Sequence, residues 1–125
     1  MTGQPGLILV ADDDPDIVAL VSAVLRRAGF DVVEASDGAE ALELLRTRRP
    51  QLAVLDISMP KLDGMEVLRF MRAEPESSAV PVVLLSARAQ EADVRDGYAQ
   101  GASKYVRKPF SPRELVAVVR ELLGF

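Results

Sequence analysis

Three apolar stretches of this chain each run directly into a polar side chain. Leu7-Ile8-Leu9-Val10-Ala11 leads into Asp12-Asp13-Asp14, Leu52-Ala53-Val54-Leu55 into Asp56, and residues 80–85 into Ser86. A weaker β-type stretch, Lys104-Tyr105-Val106-Arg107, leads into Lys108-Pro109. If the four stretches are neighbouring parallel strands, these side chains meet at one edge of a sheet. At least three carboxylates then crowd together, which raises their pKa values or demands a cation. Lys108 supplies one positive charge and cannot neutralise three. An all-oxygen set fits Mg²⁺, with Mn²⁺ as an alternative, held by carboxylates, waters and phosphate oxygens. A backbone carbonyl in the loop after Asp56 would complete such a shell. Asp56 is the candidate nucleophile, since a carboxylate can attack phosphorus and form an acyl phosphate. The cation and Lys108 would then neutralise charge on the phosphoryl oxygens, where most of the catalysis lies. Ser86 would donate a hydrogen bond to the same group. A plainer reading makes residues 12–14 a charge cluster at a helix N-terminus. It accounts for Asp14 but for neither Asp12 nor Asp56.

Composition removes most other chemistry. The chain has no His, which excludes serine triads and most transition-metal sites, and no Cys, which excludes disulfides and zinc-thiolate sites. Its 125 residues suffice for one domain with its own core. Hydrophobic residues at 49% and charged residues at 27% fit a soluble globular protein. With 15 basic and 19 acidic side chains the net charge is −4, so direct nucleic-acid binding is not expected. The start, Met1-Thr2-Gly3-Gln4-Pro5-Gly6, does not read as a signal peptide, and no apolar run approaches a membrane span. A cytoplasmic location is the default expectation.

The elements that must position these groups alternate. Continuously apolar strands are covered on both faces, as in a parallel sheet. Helical patterns lie between them. The first covers about residues 15–28, with Asp14 as N-cap and Pro15 in the first helical position. A second opens at Asp37-Gly38, a third spans about 65–72, and a fourth about 93–100. The fifth starts at Ser111-Pro112-Arg113-Glu114, whose spacing predicts a capping box. Five βα units with short loops predict a doubly wound α/β fold, a five-stranded parallel sheet in the flavodoxin-like order 2-1-3-4-5. Its ligand crevice opens beyond the ends of strands 1 and 3. The expected organisation is a tail at 1–6 and one domain at 7–125.

With these motifs in order, the chain resembles the receiver domain of two-component response regulators, the CheY-like family. The residues that carry the resemblance are 9–15, then 54–60 with Asp63-Gly64, Leu84-Leu85-Ser86-Ala87, and 101–110. It implies a phosphoacceptor signalling domain rather than an enzyme, limited to self-phosphorylation from phosphodonors and autodephosphorylation. Asp56 would take a phosphoryl group from a sensor histidine kinase or phosphotransfer protein. Asp12 and Asp13 would bind Mg²⁺ together with Asp56 and the Ser58 carbonyl, and Ser86 and Lys108 would contact the phosphoryl oxygens. Tyr105 matches the aromatic switch position, and the Lys108-Pro109 bond is often cis in this family. Phosphorylation would shift the face built from the fourth helix, fifth strand and fifth helix, which a downstream protein or output domain would read.

The chain departs from one large subfamily at that face. Val94, Lys104 and Val118 stand where charges would pair across a symmetric dimer, although Glu114 remains. A monomer or weak dimer is expected, with Val94 and Val118 either part of a partner surface or partly buried. Both a free-standing receiver and the N-terminal part of a longer regulator fit the sequence. Ser58 and Arg88 are the positions expected to tune the lifetime of the phosphorylated state. Other classes fit less well. A haloacid-dehalogenase-type phosphatase would continue Asp12-Asp13-Asp14 differently from Pro15-Asp16. A flavodoxin-type electron carrier needs a phosphate loop where this chain has three acids. An unphosphorylated interaction module would not need the set Asp12, Asp13, Asp56, Ser86 and Lys108.

Overall fold

The computed structural model describes residues 6–87 and 91–125. Arg88 lies outside them. The order is β1 (Leu7–Ala11), α1 (Pro15–Arg27), β2 (Asp31–Ala35), α2 (Gly38–Arg48) and β3 (Leu52–Asp56), followed by α3 (Gly64–Ala73), β4 (Val82–Ser86), α4 (Glu91–Ala99), β5 (Lys104–Arg107) and α5 (Pro112–Leu123). All strand pairs are parallel, and the sheet order is β2-β1-β3-β4-β5, as the sequence predicts.

Side-chain alternation along each central strand feeds two separate cores. Leu9 and Ala11 of β1, Ala53 and Leu55 of β3, and Val82 and Leu84 of β4 face α2 and α3, whose Leu42, Leu45, Leu68 and Met71 cover them. The intervening Ile8, Val10, Leu52, Val54, Val83 and Leu85 face α1 and α5, where Val21, Leu25, Leu115 and Val119 close the second core. Both strand faces are apolar because both are buried, which is why these runs show no polar alternation.

Helix starts follow their caps. Asp14 accepts from Asp16 N at 2.9 Å, with Pro15 in the first turn. Asp37 accepts from Glu40 N at 2.7 Å. The capping box expected at α5 is only half made: Ser111 Oγ accepts from Glu114 N at 3.3 Å. The complete reciprocal box belongs to α3, between Asp63 and Glu66 at 2.8 and 3.0 Å. β4 begins two residues later than its apolar run. Val80 stays in the preceding loop, its N–H donating to Ser77 O at 3.1 Å and its carbonyl accepting from Arg72 at 2.8 Å. Val94 is half-buried, as is Val118, which packs against the α1/α5 core. No helix among the described residues is long and apolar enough to cross a membrane.

Arg72, near the end of α3, ties the bottom of the molecule together. Its guanidinium donates to the carbonyls of Ser77, Ser78 and Val80 in the α3–β4 loop, and to Gly101 beyond α4. Among the described residues no carboxylate pairs with it, and burial lowers its pKa. Gly101 has φ +107, and a Cβ there would stand 2.9 Å from Arg72 Nε. Arg72→Met should therefore lower stability by about 2–3 kcal/mol in urea unfolding, the scale of losing hydrogen bonds to a charged donor.

Candidate functional site

The parallel register brings the strand ends level. Ala11 lies opposite Leu55, so Asp12 follows β1 beside Asp56, the last residue of β3. Asp56 lies opposite Leu85, and Ser86 opposite Arg107, so β4 and β5 end at the same edge. The chain folds this way locally because the loops are tied to neighbouring strands. Asp12 N donates to Ala35 O at 3.2 Å, Ile57 N to Leu85 O at 3.1 Å, and Lys108 N to Ser86 O at 2.8 Å. The Lys108-Pro109 peptide is cis.

Lys108 Nζ stands between two carboxylates, 3.0 Å from Asp12 Oδ2 and 2.9 Å from Asp56 Oδ1. Asp12 and Asp56 are buried, with their side chains only 2% and 8% exposed. Asp12 Oδ1 also accepts from Asp14 N at 3.0 Å. Asp13 is exposed on the solvent side, and oxygens of Asp12, Asp13 and Asp56 all lie within 4.8 Å of one another. A cleft of about 410 Å³ opens beside Asp12 and Asp13, with Pro15, Val18, Ser36 and Glu40 among its walls.

Burial raises the Asp56 pKa. Lys108 opposes that through its hydrogen bond and charge, while Asp12 and Asp13 push in the same direction as burial. Burial also works against the charge on Lys108, but its bonds to Asp56 and Asp12 outweigh it, and the lysine pKa is raised. Two buried carboxylates, a third at 4.8 Å or less and one ammonium leave an excess of negative charge facing solvent. A hard divalent cation fits that donor set.

The structure thus brings Asp12, Asp13, Asp56 and Lys108 together. Ser86 is buried at the end of β4 on the same edge. Ser58 lies exposed in the loop two residues beyond Asp56. Tyr105 sits lower on β5, opposite Leu84, with its ring against the α2/α3 core.

Sequence reasoning gave no role to the glycines that let this loop pack. A Cβ on Gly64 would collide with the Asp56 carbonyl and stand 3.0 Å from Ile57 Cα. A Cβ on Gly38, at the start of α2, would collide with the Leu62 carbonyl. Gly64 N donates to Ile57 O at 2.9 Å, and Lys61, at φ 69, reaches Asp37 at 3.5 Å. Asp-Gly before an apolar helix stripe was a readable sign of a tight turn. The close approach of two loops was not readable.

A doubly wound sheet with acids and a lysine at its switch point defines a class of phosphate-handling α/β domains, and the comparisons narrow that class. The response regulator receiver domain profile matches residues 8–120. The chain is 46% identical over 116 residues to the DNA-binding response regulator MtrA of Mycolicibacterium smegmatis, covering 93% of this chain and 50% of that protein. It is equally identical over 116 residues to the alkaline phosphatase synthesis transcriptional regulatory protein PhoP of Bacillus subtilis, covering 93% and 48%. The chain therefore spans about half the length of these relatives. Among solved structures, a response regulator from Chloroflexus aurantiacus superimposes with TM-score 0.93 at 32% identity, covering 98% of this chain and all of that one. The receiver domain of sensor histidine kinase PA1611 from Pseudomonas aeruginosa, solved with a magnesium ion in its active-site cleft, gives TM-score 0.89 at 29% identity, covering 98% and 100%. This chain belongs to the response regulator receiver domain family.

The charge balance makes a prediction. Asp13→Asn removes one of three mutually repelling carboxylates, so the metal-free protein should gain about 1 kcal/mol of stability. Mg²⁺ should raise the melting temperature of the wild type and leave that of this variant unchanged. Thermal melts with and without Mg²⁺ check both halves.

Proposed function

We propose that Asp56 is the phosphoacceptor of this receiver domain. The observation that carries the reading is Lys108 Nζ held between the buried carboxylates of Asp12 and Asp56, with Asp13 beside them. An oxygen of Asp56 attacks the phosphorus of a phosphohistidine on a sensor histidine kinase or phosphotransfer protein. The O–P bond forms as the P–N bond breaks, and the imidazole nitrogen keeps the electron pair. Lys108 is already placed to offset negative charge on the incoming phosphoryl oxygens. Ser86, at the end of the next strand, supplies a hydroxyl donor to the same group. Asp12, Asp13, Asp56 and the Ser58 carbonyl would hold Mg²⁺, or Mn²⁺ in its place. Such a cation, when bound, supplies the positive charge that the carboxylates and phosphoryl oxygens together lack.

The output follows from the same geometry. A phosphoryl group adds charge and acceptor oxygens at the sheet edge. Ser86 and Lys108 stand on β4 and β5, so a shift toward the phosphoryl group is felt along those strands. Tyr105 on β5 carries it to the face of α4, β5 and α5, which a downstream protein or output domain reads. The chain works as a signalling domain in residues 7–125, acting as a monomer or weak dimer in the cytoplasm, without binding nucleic acid itself. Its own chemistry is limited to self-phosphorylation from small phosphodonors and autodephosphorylation.

Incubation with acetyl phosphate, followed at once by intact-mass measurement, tests the reading. The wild type should gain one phosphoryl group only when Mg²⁺ is present, and Asp56→Asn should gain none. Lys108→Met should slow adduct formation about 100-fold, the usual cost of removing one charge-stabilising donor. A wild type that forms no adduct with Mg²⁺ present would overturn the phosphoacceptor assignment.

A further inference from the structure

Two consecutive residues of α4 meet Tyr105 of β5. Gly97 is buried inside the helix, where glycine is an unfavourable choice. A Cβ there would stand 3.0 Å from Tyr105 Cδ2, 3.3 Å from Tyr105 Cε2 and 3.2 Å from Leu84 Cδ1. Alanine would therefore press on the Tyr105 ring, and the missing side chain is the space that ring fills. The next residue, Tyr98, is 44% exposed. Its position on an open surface gives it little packing to recover, yet its hydroxyl accepts the backbone N–H of Tyr105 at 3.2 Å. One residue of α4 thus admits the Tyr105 side chain while its neighbour holds the Tyr105 main chain.

We propose that Gly97 and Tyr98 form the seat of Tyr105, positioning its ring under α4 and coupling α4 to β5 at that residue. The assignment of a signalling role to this seat rests on the reading that Tyr105 reports the state of Asp56. Gly97 sets how close the helix lies to the ring, and Tyr98 keeps the strand backbone in register with the helix. A movement of α4 or the opening of the Tyr98 bond loosens that seat. A shift at the sheet edge then moves helix and strand together, and the surface presented to a partner changes as one body.

The chain has two tyrosines, so 3-fluorotyrosine labelling of the whole protein gives two fluorine resonances, which Tyr98→Phe assigns. In Gly97→Ala, the Tyr105 resonance should move toward that of free 3-fluorotyrosine and show a larger solvent isotope shift. In Tyr98→Phe, the Tyr105 amide should exchange about five-fold faster, the scale of one lost hydrogen bond. An unchanged Tyr105 signal in either folded variant overturns the seat. Should Gly97→Ala fail to fold, the exposed Tyr98→Phe decides by itself. The acetyl phosphate adduct is measured on the same samples, and neither variant touches Asp56. Absence of the adduct with the Tyr105 effects intact would overturn the phosphoacceptor reading and leave the seat standing.

Discussion

The structure is organised around one ammonium group between two buried carboxylates. Lys108 Nζ lies within 3.0 Å of both Asp12 and Asp56, and those residues come from three different strand ends. Buried carboxylates are costly unless paired, and removing one partner of such a pair leaves an uncompensated charge. A single lysine serving two acids therefore constrains how β1, β3 and β5 end relative to each other. The sheet satisfies that constraint through its register, with Ala11 level with Leu55 and Asp56 level with Leu85. The caps of α1, α2 and α3 then turn the chain away from the edge immediately beyond it.

The crowding of carboxylates at this edge is unfavourable at rest. Asp56 is pushed up by burial and by its acidic neighbours, and Lys108 offsets only part of this. Function at this edge is built on charge that the fold holds without neutralising, a common exchange of stability for activity. The compensation lies elsewhere. Two apolar cores, one on each sheet face, hold the largest fully buried side chains. At the opposite end of the sheet from Asp56, Arg72 joins the α3–β4 loop to the turn after α4 through backbone carbonyls. The turn after α4 is fixed at that end, while Ser86 and Lys108 lie at the charged end. That arrangement suits an element whose position responds to the site.

Much of this was legible in the residues. Unbroken apolar runs declared buried parallel strands, and acids at the ends of those runs declared the edge where the carboxylates and Lys108 meet. Asp12, Asp56 and Lys108 were readable because Asp12 and Lys108 come directly after β1 and β5 and Asp56 closes β3. The features that were not legible depend on contacts between segments distant in sequence. The full capping box lies at Asp63-Glu66, although Ser111-Glu114 has the stronger sequence signature, because the side chain of Glu66 reaches back and that of Glu114 does not. The close approaches at Gly38, Gly64 and Gly97 cannot be seen until the atoms opposite them are known. Arg72 gives no sequence signal, since its partners are backbone carbonyls that any residue could provide.

The most direct test of the central claim asks which of the crowded carboxylates carries the phosphoryl group. After reaction with acetyl phosphate and Mg²⁺, borohydride reduction converts an aspartyl phosphate to homoserine, and peptide mass mapping locates it. The account predicts homoserine at position 56 alone, and none when Mg²⁺ is omitted. Homoserine at position 12 or 13, or none at position 56 with Mg²⁺ present, would contradict it.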